Sequence, residues 1–298
     1  MDIIISINKP RGITSQGAVT KVKKIVQVKK AGHTGTLDPL ASGLLLICIN
    51  RATRLASYFT DLDKEYRAVM KLGETTDTQD AQGTVVEIRS TDNVTRESVE
   101  KVLRDFEGDL LQQPPMYSAL KHKGRSLYTY ARKGIDIERA PRKIIVKAME
   151  MTDFALPFAS FRTVCSKGTY VRTICHDIGS TLGVGAHLYE LERTAIGPFT
   201  LNGSLTFDEV KAVMEGEEIR KGIYSMDEAL SWLPEFRLDE TLIKPVMHGS
   251  PVQLHRMEIS EDVKTAKGIR IKSPDGTLLA IGSYVAPLHI IKLDRVFT

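Results

Sequence analysis

The stretch Gly32-His33-Thr34-Gly35-Thr36-Leu37-Asp38-Pro39-Leu40-Ala41-Ser42-Gly43 is the most unusual in the chain. Its glycines permit tight backbone geometry, and Pro39 biases Asp38 toward an extended conformation, so the carboxylate is expected on a stiff loop rather than a helix face. From Ala31 to Asn50 there is no Lys or Arg, and Leu37 and Leu40 flank the acid. A partly desolvated carboxylate needs a positive partner to stay ionised, so any counter-charge for Asp38 must come from elsewhere in the chain. The same residues admit a plainer reading, in which Asp38 caps a helix whose first residue is Pro39. Gly32-x-x-Gly35 also fits a backbone-clamping loop, a common and weak pattern. Local chemistry leaves these alternatives open.

Outward from this loop, the pattern is that of a mixed α+β chain. Upstream, Ile3, Ile5 and Ile7 predict a strand that stops at the turn cluster Asn8-Lys9-Pro10-Arg11-Gly12. Ala18, Val19, Val22, Ile25 and Val26 recur at helical spacing behind Thr14 or Ser15 as cap, with Lys21, Lys23 and Lys24 on the other faces. Downstream, Leu44 to Ile49 reads as a buried strand and Ala52 to Thr60 as a short helix. Lys64 to Leu72 reads as an alternating strand with Tyr66, Ala68, Met70 and Leu72 on its apolar side. Val99, Val102, Leu103 and Phe106 predict a helix closed by Gly108. Residues 114–142 break the pattern: a Pro-Pro start, no sustained apolar stripe, and tyrosines at 117, 128 and 130 among basic residues, as in an excursion from the core. Strands follow around 143–151 and 159–166, then a helix over about 170–182 and a strand around 187–196. An acidic helical stretch leads to Trp232-Leu233-Pro234, where a boundary is expected. Beyond it, short strands and a hairpin over Ser273-Pro274-Asp275-Gly276 suggest a small β-rich appendage.

Composition narrows the function classes. The chain has 298 residues, 42% hydrophobic and 26% charged, which excludes a disordered, collagen-like or disulfide-scaffold protein. The longest apolar run, Leu44 to Ile49, is far short of the roughly 20 residues a membrane helix needs. The first residues lack a basic n-region and a cleavage site, so a cytoplasmic protein is expected. Cys48, Cys165 and Cys175 are odd in number and show no Cys-x-x-Cys spacing, so buried thiols are expected rather than a disulfide or a metal site. A net charge of +4 is mild, but its distribution is not. Residues 1–60 carry nine Lys/Arg against Asp2 and Asp38, and residues 121–147 carry nine against Asp136 and Glu138, each a net +7. Residues 199–240 hold ten acids against four bases, a net −6. Such polarity suits one basic face turned to a polyanion, although solvated helix faces produce the same runs.

The twelve-residue loop resembles the catalytic motif of the bacterial tRNA pseudouridine-55 synthases, the TruB family, in which the aspartate is the catalytic residue. The motifs Asn8-Lys9-Pro10-x-Gly12, Asp63-Lys64-Glu65-Tyr66-Arg67 and Thr76-Asp77-Thr78-x-Asp80-Ala81-x-Gly83 are similar to that family in its order. So are Pro115-Met116-Tyr117-Ser118-Ala119-Leu120-Lys121 and Cys165-Ser166-Lys167-Gly168-Thr169-Tyr170-Val171-Arg172-Thr173. The likeness runs from about residue 6 to 200, and the tail resembles, more loosely, the RNA-binding PUA domain such enzymes carry. It implies a pseudouridine synthase fold with a largely antiparallel central sheet over residues 1–235. It also implies an RNA-gripping insertion at about 114–142 and a PUA-like domain at 236–298.

By motif, the resemblance makes Asp38 the catalytic carboxylate, lays the target base on Tyr66, and pairs Arg172 with Asp38. It puts His33, Tyr170 and Thr194 in the substrate site. Each has a plainer alternative: Tyr66 as core, Arg172 as solvated, His33 as a backbone hydrogen-bond partner, and Thr194 in a less similar neighbourhood. The implied activity is isomerisation of uridine 55 in the TΨC loop of tRNA, with no cofactor and no metal, no membrane and no obligatory protein partner, in a monomer. A non-catalytic RNA-binding protein using the same basic surface is the competing class, and the intact Asp38 motif favours the enzyme.

Overall fold

The computed structural model describes residues 1–219, 221–254 and 259–297. Strand β1 (Ile3–Lys9) opens on three isoleucines and, later, β3 (Ser42–Ile49) runs apolar from Leu44 to Ile49, because both their faces are covered. Ile4, Leu44, Leu46 and Cys48 enter one core, while Ile5, Ile7, Leu45, Ile47 and Ile49 enter another. Helix α1 (Ser15–Val26) closes the second core with Ala18, Val19 and Val22. The Thr14 hydroxyl caps it by accepting from the Gly17 N–H at 2.9 Å.

Strand β2 (Ala31–His33) pairs with β3, so residues 34–41 form the loop between them. The expected helix over 52–60 is divided into a 3-10 turn, Asn50–Leu55, and the short helix α2 (Ala56–Thr60). Strand β4 (Lys64–Leu72) alternates as predicted, burying Tyr66, Ala68, Met70 and Leu72 in a third core. A small two-stranded sheet follows, β5 (Glu74–Thr76) with β6 (Val85–Ile88). Helix α3 (Arg96–Asp105) ends at Phe106, and Gly108, at φ 97°, opens strand β7 (Gly108–Gln112) instead of closing the helix. Most of the excursion is irregular, with a short hairpin, β8 (Lys121–His122) and β9 (Arg125–Ser126), and one turn of helix, α4 (Leu127–Ala131).

Strands β10 (Arg142–Ala155) and β11 (Phe158–Cys165) lead to helix α5 (Val171–Thr181) and strand β12 (Ala186–Ile196). Then come β13 (Phe199–Thr200), α6 (Phe207–Met214) and β14 (Ile223–Ser225). The main sheet runs β14-β1-β3-β12-β4-β11-β10-β7, with β2 against β3 and β13 against β12. Its strand pairs are antiparallel except β3 with β12, which meet in parallel at Glu192–Ser42 and Arg193–Gly43. The expected α+β class with a largely antiparallel sheet is the class observed.

From residue 235 the chain builds a second sheet with its own core. Its elements are β15 (Glu235–Arg237), α7 (Glu240–Met247), β16 (Val252–Gln253), α8 (Glu261–Thr265), β17 (Ile269–Lys272), β18 (Leu278–Val285) and β19 (Ile290–Val296). The Asp-Gly turn joins β17 to β18 as predicted. The acidic stretch 199–240 is α-helical in α6 and where α7 begins, at Glu240, with 3-10 turns at Leu201–Gly203 and Glu228–Leu230. Part of its charge is internal. Asp227 takes Arg270 at 2.9 Å and Lys272 at 2.6 Å, tying the second sheet to the chain before it. The three cysteines are free and buried, as expected, and burial pushes the thiols of Cys48 and Cys165 up to about 12 and about 11.

Candidate active site

No helix starts at Asp38, so the capping alternative is excluded. The loop is fastened along its length by side chains from distant elements. The Ser15 hydroxyl donates to the Leu37 carbonyl at 2.9 Å and accepts from the Leu37 N–H at 2.7 Å. The Gly12 N–H donates to the Pro39 carbonyl at 2.8 Å, and the Thr60 hydroxyl to that of Thr34 at 2.8 Å. Lys9, wholly buried, donates to the carbonyls of Ala41 at 2.7 Å and of Pro10 and Ile13 at 2.9 Å. Burial, then the nearby Arg193 charge, pulls its ammonium down to about 8. A lysine surrounded by carbonyl oxygens satisfies groups that would otherwise be buried without partners. The Asn8-Lys9-Pro10-x-Gly12 motif is therefore the anchor of the Asp38 loop.

The counter-charge for Asp38 comes from the first turn of α5, across the fold. Arg172 stands 3.6 Å from the Asp38 carboxylate and 3.6 Å from that of Asp80, and donates to the Tyr117 carbonyl at 2.6 Å. The Arg172 and Asp80 side chains are 6% and 7% exposed, whereas Asp38 is 35% exposed. One guanidinium thus bridges a buried acid and an accessible one. Asp80 is itself fixed, accepting from the Thr78 hydroxyl at 2.7 Å and the Gln82 N–H at 3.0 Å.

Asp38 opens into a cleft of about 460 Å³, whose lining includes Tyr66, Tyr170, Arg172, Leu191 and Arg193. That volume lies within the range of small-molecule sites. Tyr117, Ser118, Ala119, Ser126 and Tyr128 bring the excursion to the same cleft. Tyr66 combines both of its expected readings: it belongs to the core and its ring also lines the cleft. Burial raises its hydroxyl and the Arg193 charge opposes the rise. Tyr170 lies at the N-cap of α5, its backbone held by both ends of the Gln112 amide at 2.8 and 3.0 Å. The Arg172 guanidinium is 5.6 Å from its ring centre.

Two expected site residues are not among the cleft's lining. His33 lies on β2, its Nδ1 accepting from the Gly35 N–H at 3.4 Å, and burial together with Arg193 lowers its imidazole. This is the backbone-partner alternative. Thr194 donates to Glu65 at 2.7 Å, and Glu65 precedes Tyr66 on a strand whose neighbours point to opposite faces. Its neighbour Arg193 is the residue that enters the cleft, and sequence reasoning missed it. Arg193 shares the inward phase of β12 with Leu191, and that phase was the available signal. Lys64 was missed as well. It lines the cleft, donates to the carbonyls of Thr60 at 2.5 Å and Leu62 at 2.6 Å, and is drawn down to about 8, first by burial and then by Arg193. Asp80 stood inside a quoted motif without a role.

An accessible carboxylate backed by a buried guanidinium, in a cleft of this size on a largely antiparallel sheet, is an arrangement that suits an enzyme of the pseudouridine synthase class. Known proteins carry the assignment further. Residues 23–171 match the profile described as "TruB family pseudouridylate synthase (N terminal domain)", and residues 172–231 the one described as "tRNA pseudouridylate synthase B C-terminal domain". The chain is 41% identical to a tRNA pseudouridine synthase B of Burkholderia pseudomallei, over 94% of this chain and 92% of that protein. It is 42% identical to the protein of the same name from Clostridium kluyveri, over 85% and 86%. A solved archaeal box H/ACA sRNP Nop10-Cbf5 complex contains a chain similar to this one at TM-score 0.75 and 26% identity, covering 99% of this chain and 86% of that one. The chain belongs to the TruB family of pseudouridylate synthases, and it is an enzyme that forms pseudouridine in tRNA. Among the described residues no helix is long and apolar enough to cross a membrane, and no cluster of His, Cys, Asp and Glu could hold a metal ion.

Proposed function

We propose that this enzyme isomerises uridine 55 in the TΨC loop of tRNA, with Asp38 as the catalytic carboxylate. The supporting observation is the ion pair of the half-buried Asp38 with the buried Arg172 at the floor of the cleft. The guanidinium sets a positive charge beside the carboxylate, whether that carboxylate attacks as a nucleophile or removes a proton as a base. The bond between N1 and C1′ breaks, the uracil turns, and C5 joins C1′; C5 loses its proton and N1 gains one. No electrons are exchanged with an outside group, so no cofactor is needed.

A uridine inside a folded loop must be extruded to reach Asp38, at a cost of a few kcal/mol. Stacking on Tyr66 and Tyr170 offsets that cost, and the basic excursion 114–142 grips the RNA arm through phosphates. Residues 236–298 serve as a PUA-like RNA-binding module. The enzyme works as a cytoplasmic monomer without a protein partner, and tRNA is its substrate. Incubating unmodified tRNA with the purified protein and no additives should yield pseudouridine at position 55, mapped by chemical modification and primer extension. Modification at another position would overturn the choice of uridine 55.

Tyr66→Leu keeps an apolar side chain in the core but removes the aromatic face. Since base stacking contributes about 1–3 kcal/mol, turnover should fall about tenfold or more while tRNA affinity stays close to that of the parent. An unchanged rate, measured below the variant's melting temperature, would return Tyr66 to a packing role alone.

A further inference from the structure

Arg193 is the largest fully buried side chain described, only 1% exposed, and among the described residues no carboxylate forms an ion pair with it. Burying a charge is costly unless hydrogen bonds replace its water, and here backbone oxygens do so. Nε donates to the Leu44 carbonyl at 2.7 Å, one terminal nitrogen to the Gly35 carbonyl at 3.2 Å, and the other to that of Thr36 at 3.4 Å. Gly35 and Thr36 precede Asp38, and Leu44 follows it on β3. One planar fork therefore holds the two stems of the loop together.

The Arg193 backbone grips the same loop. It pairs in parallel with Gly43 at the single parallel junction of the main sheet. A side chain at Gly43 would lie 2.4 Å from the Arg193 carbonyl oxygen and 2.7 Å from its nitrogen, so only glycine lets the strands approach. Tyr66 lies opposite Arg193 on β4, so the clamp sits beneath the ring expected to carry the base.

We propose that Arg193 is a positioning residue for the pseudouridylation reaction, whose guanidinium fork fixes both stems of the Asp38 loop and so sets the carboxylate's place in the cleft. This rests on Asp38 being the catalytic group. A lysine at the same position keeps the charge and most of the stem, but one ammonium on a flexible chain does not reproduce the planar fork. Charge and geometry are thereby separable.

The test compares Arg193→Lys and Arg193→Gln with the parent and with Asp38→Asn. It reads melting temperature, tRNA affinity, single-turnover rate at saturating enzyme, and hydrogen exchange across residues 34–44. Because misplacing a reacting group by about 1 Å can cost about 100-fold, both Arg193 variants should lose about 100-fold in single-turnover rate while binding tRNA within about twofold of the parent. Exchange should quicken in the loop ahead of the rest of the chain. A folded Arg193→Lys enzyme with the parental rate, beside an inactive Asp38→Asn, overturns the positioning role alone. An active Asp38→Asn overturns the catalytic reading on which it rests. Should both Arg193 variants melt below the assay temperature, or lose tRNA affinity as much as rate, the residue is a general element of the core and the proposal fails.

Discussion

Asp38→Asn should abolish pseudouridine formation, by about 10⁴-fold or more, the scale on which removing one member of a catalytic unit ordinarily registers. The amide has the shape of the carboxylate, so the loop held by Ser15, Lys9 and Arg193 has no reason to move. Neither attack on the sugar nor proton removal is open to a neutral amide. Binding should respond in the opposite direction. Asp38 is a lone acid in a run of twenty residues, from Ala31 to Asn50, without another Asp, Glu, Lys or Arg, and its carboxylate opens into the cleft proposed to take the RNA. Neutralising it should leave tRNA affinity equal to the parent's or slightly higher, with an unchanged salt slope because no phosphate contact is removed. Rapid pseudouridylation by this variant, measured on tRNA free of contaminating enzyme, would remove Asp38 from the chemistry. Loss of binding in step with turnover would make the residue part of the RNA contact instead.

Those expectations rest on a loop that could be read in advance for a physical reason. Pro39 biases Asp38 toward an extended conformation, and the absence of a local cation required a partner from far along the chain; Arg172 is that partner. Strand phase was equally legible on β4, where Tyr66, Ala68, Met70 and Leu72 alternate without interruption. On β12 Leu191 and Arg193 share the phase that lines the cleft, whereas Thr194, which the family resemblance put in the substrate site, has the opposite phase and donates to Glu65. A buried arginine held by the carbonyls of Gly35, Thr36 and Leu44 also leaves no mark in composition or charge pairing, since its partners come together only when the fold forms. The same holds for Asp80. It lies in a turn after β5, and nothing local to residues 76–83 reveals that an arginine from α5 will arrive between it and Asp38. His33 kept its place in the motif, but pairing of β2 with β3 leaves it out of the cleft lining, bonded to its own loop.

Arg172→Gln should damage the enzyme in two separable ways, and a second substitution should repair only one of them. The buried guanidinium is shared by Asp80, 7% exposed, and by the accessible Asp38. Breaking a buried ion pair from one side leaves an uncompensated charge, and the usual loss of stability is about 3 kcal/mol or more. Asp80 bears that loss, because the Thr78 hydroxyl and the Gln82 N–H are then the remaining donors to it. Adding Asp80→Asn removes the stranded charge and should recover most of the lost stability, visible as a rise in melting temperature or in the urea midpoint. Turnover should not follow. Asp38 still lacks its positive partner in the double variant, so the rate should remain about 100-fold or more below the parent, while tRNA affinity changes little because Arg172 is too buried to meet phosphate. Recovery of activity together with stability would mean that Arg172 serves Asp80 and the fold, and that Asp38 needs no guanidinium. Activity that stays low after the fold is restored would place the arginine's effect at the accessible carboxylate in the cleft.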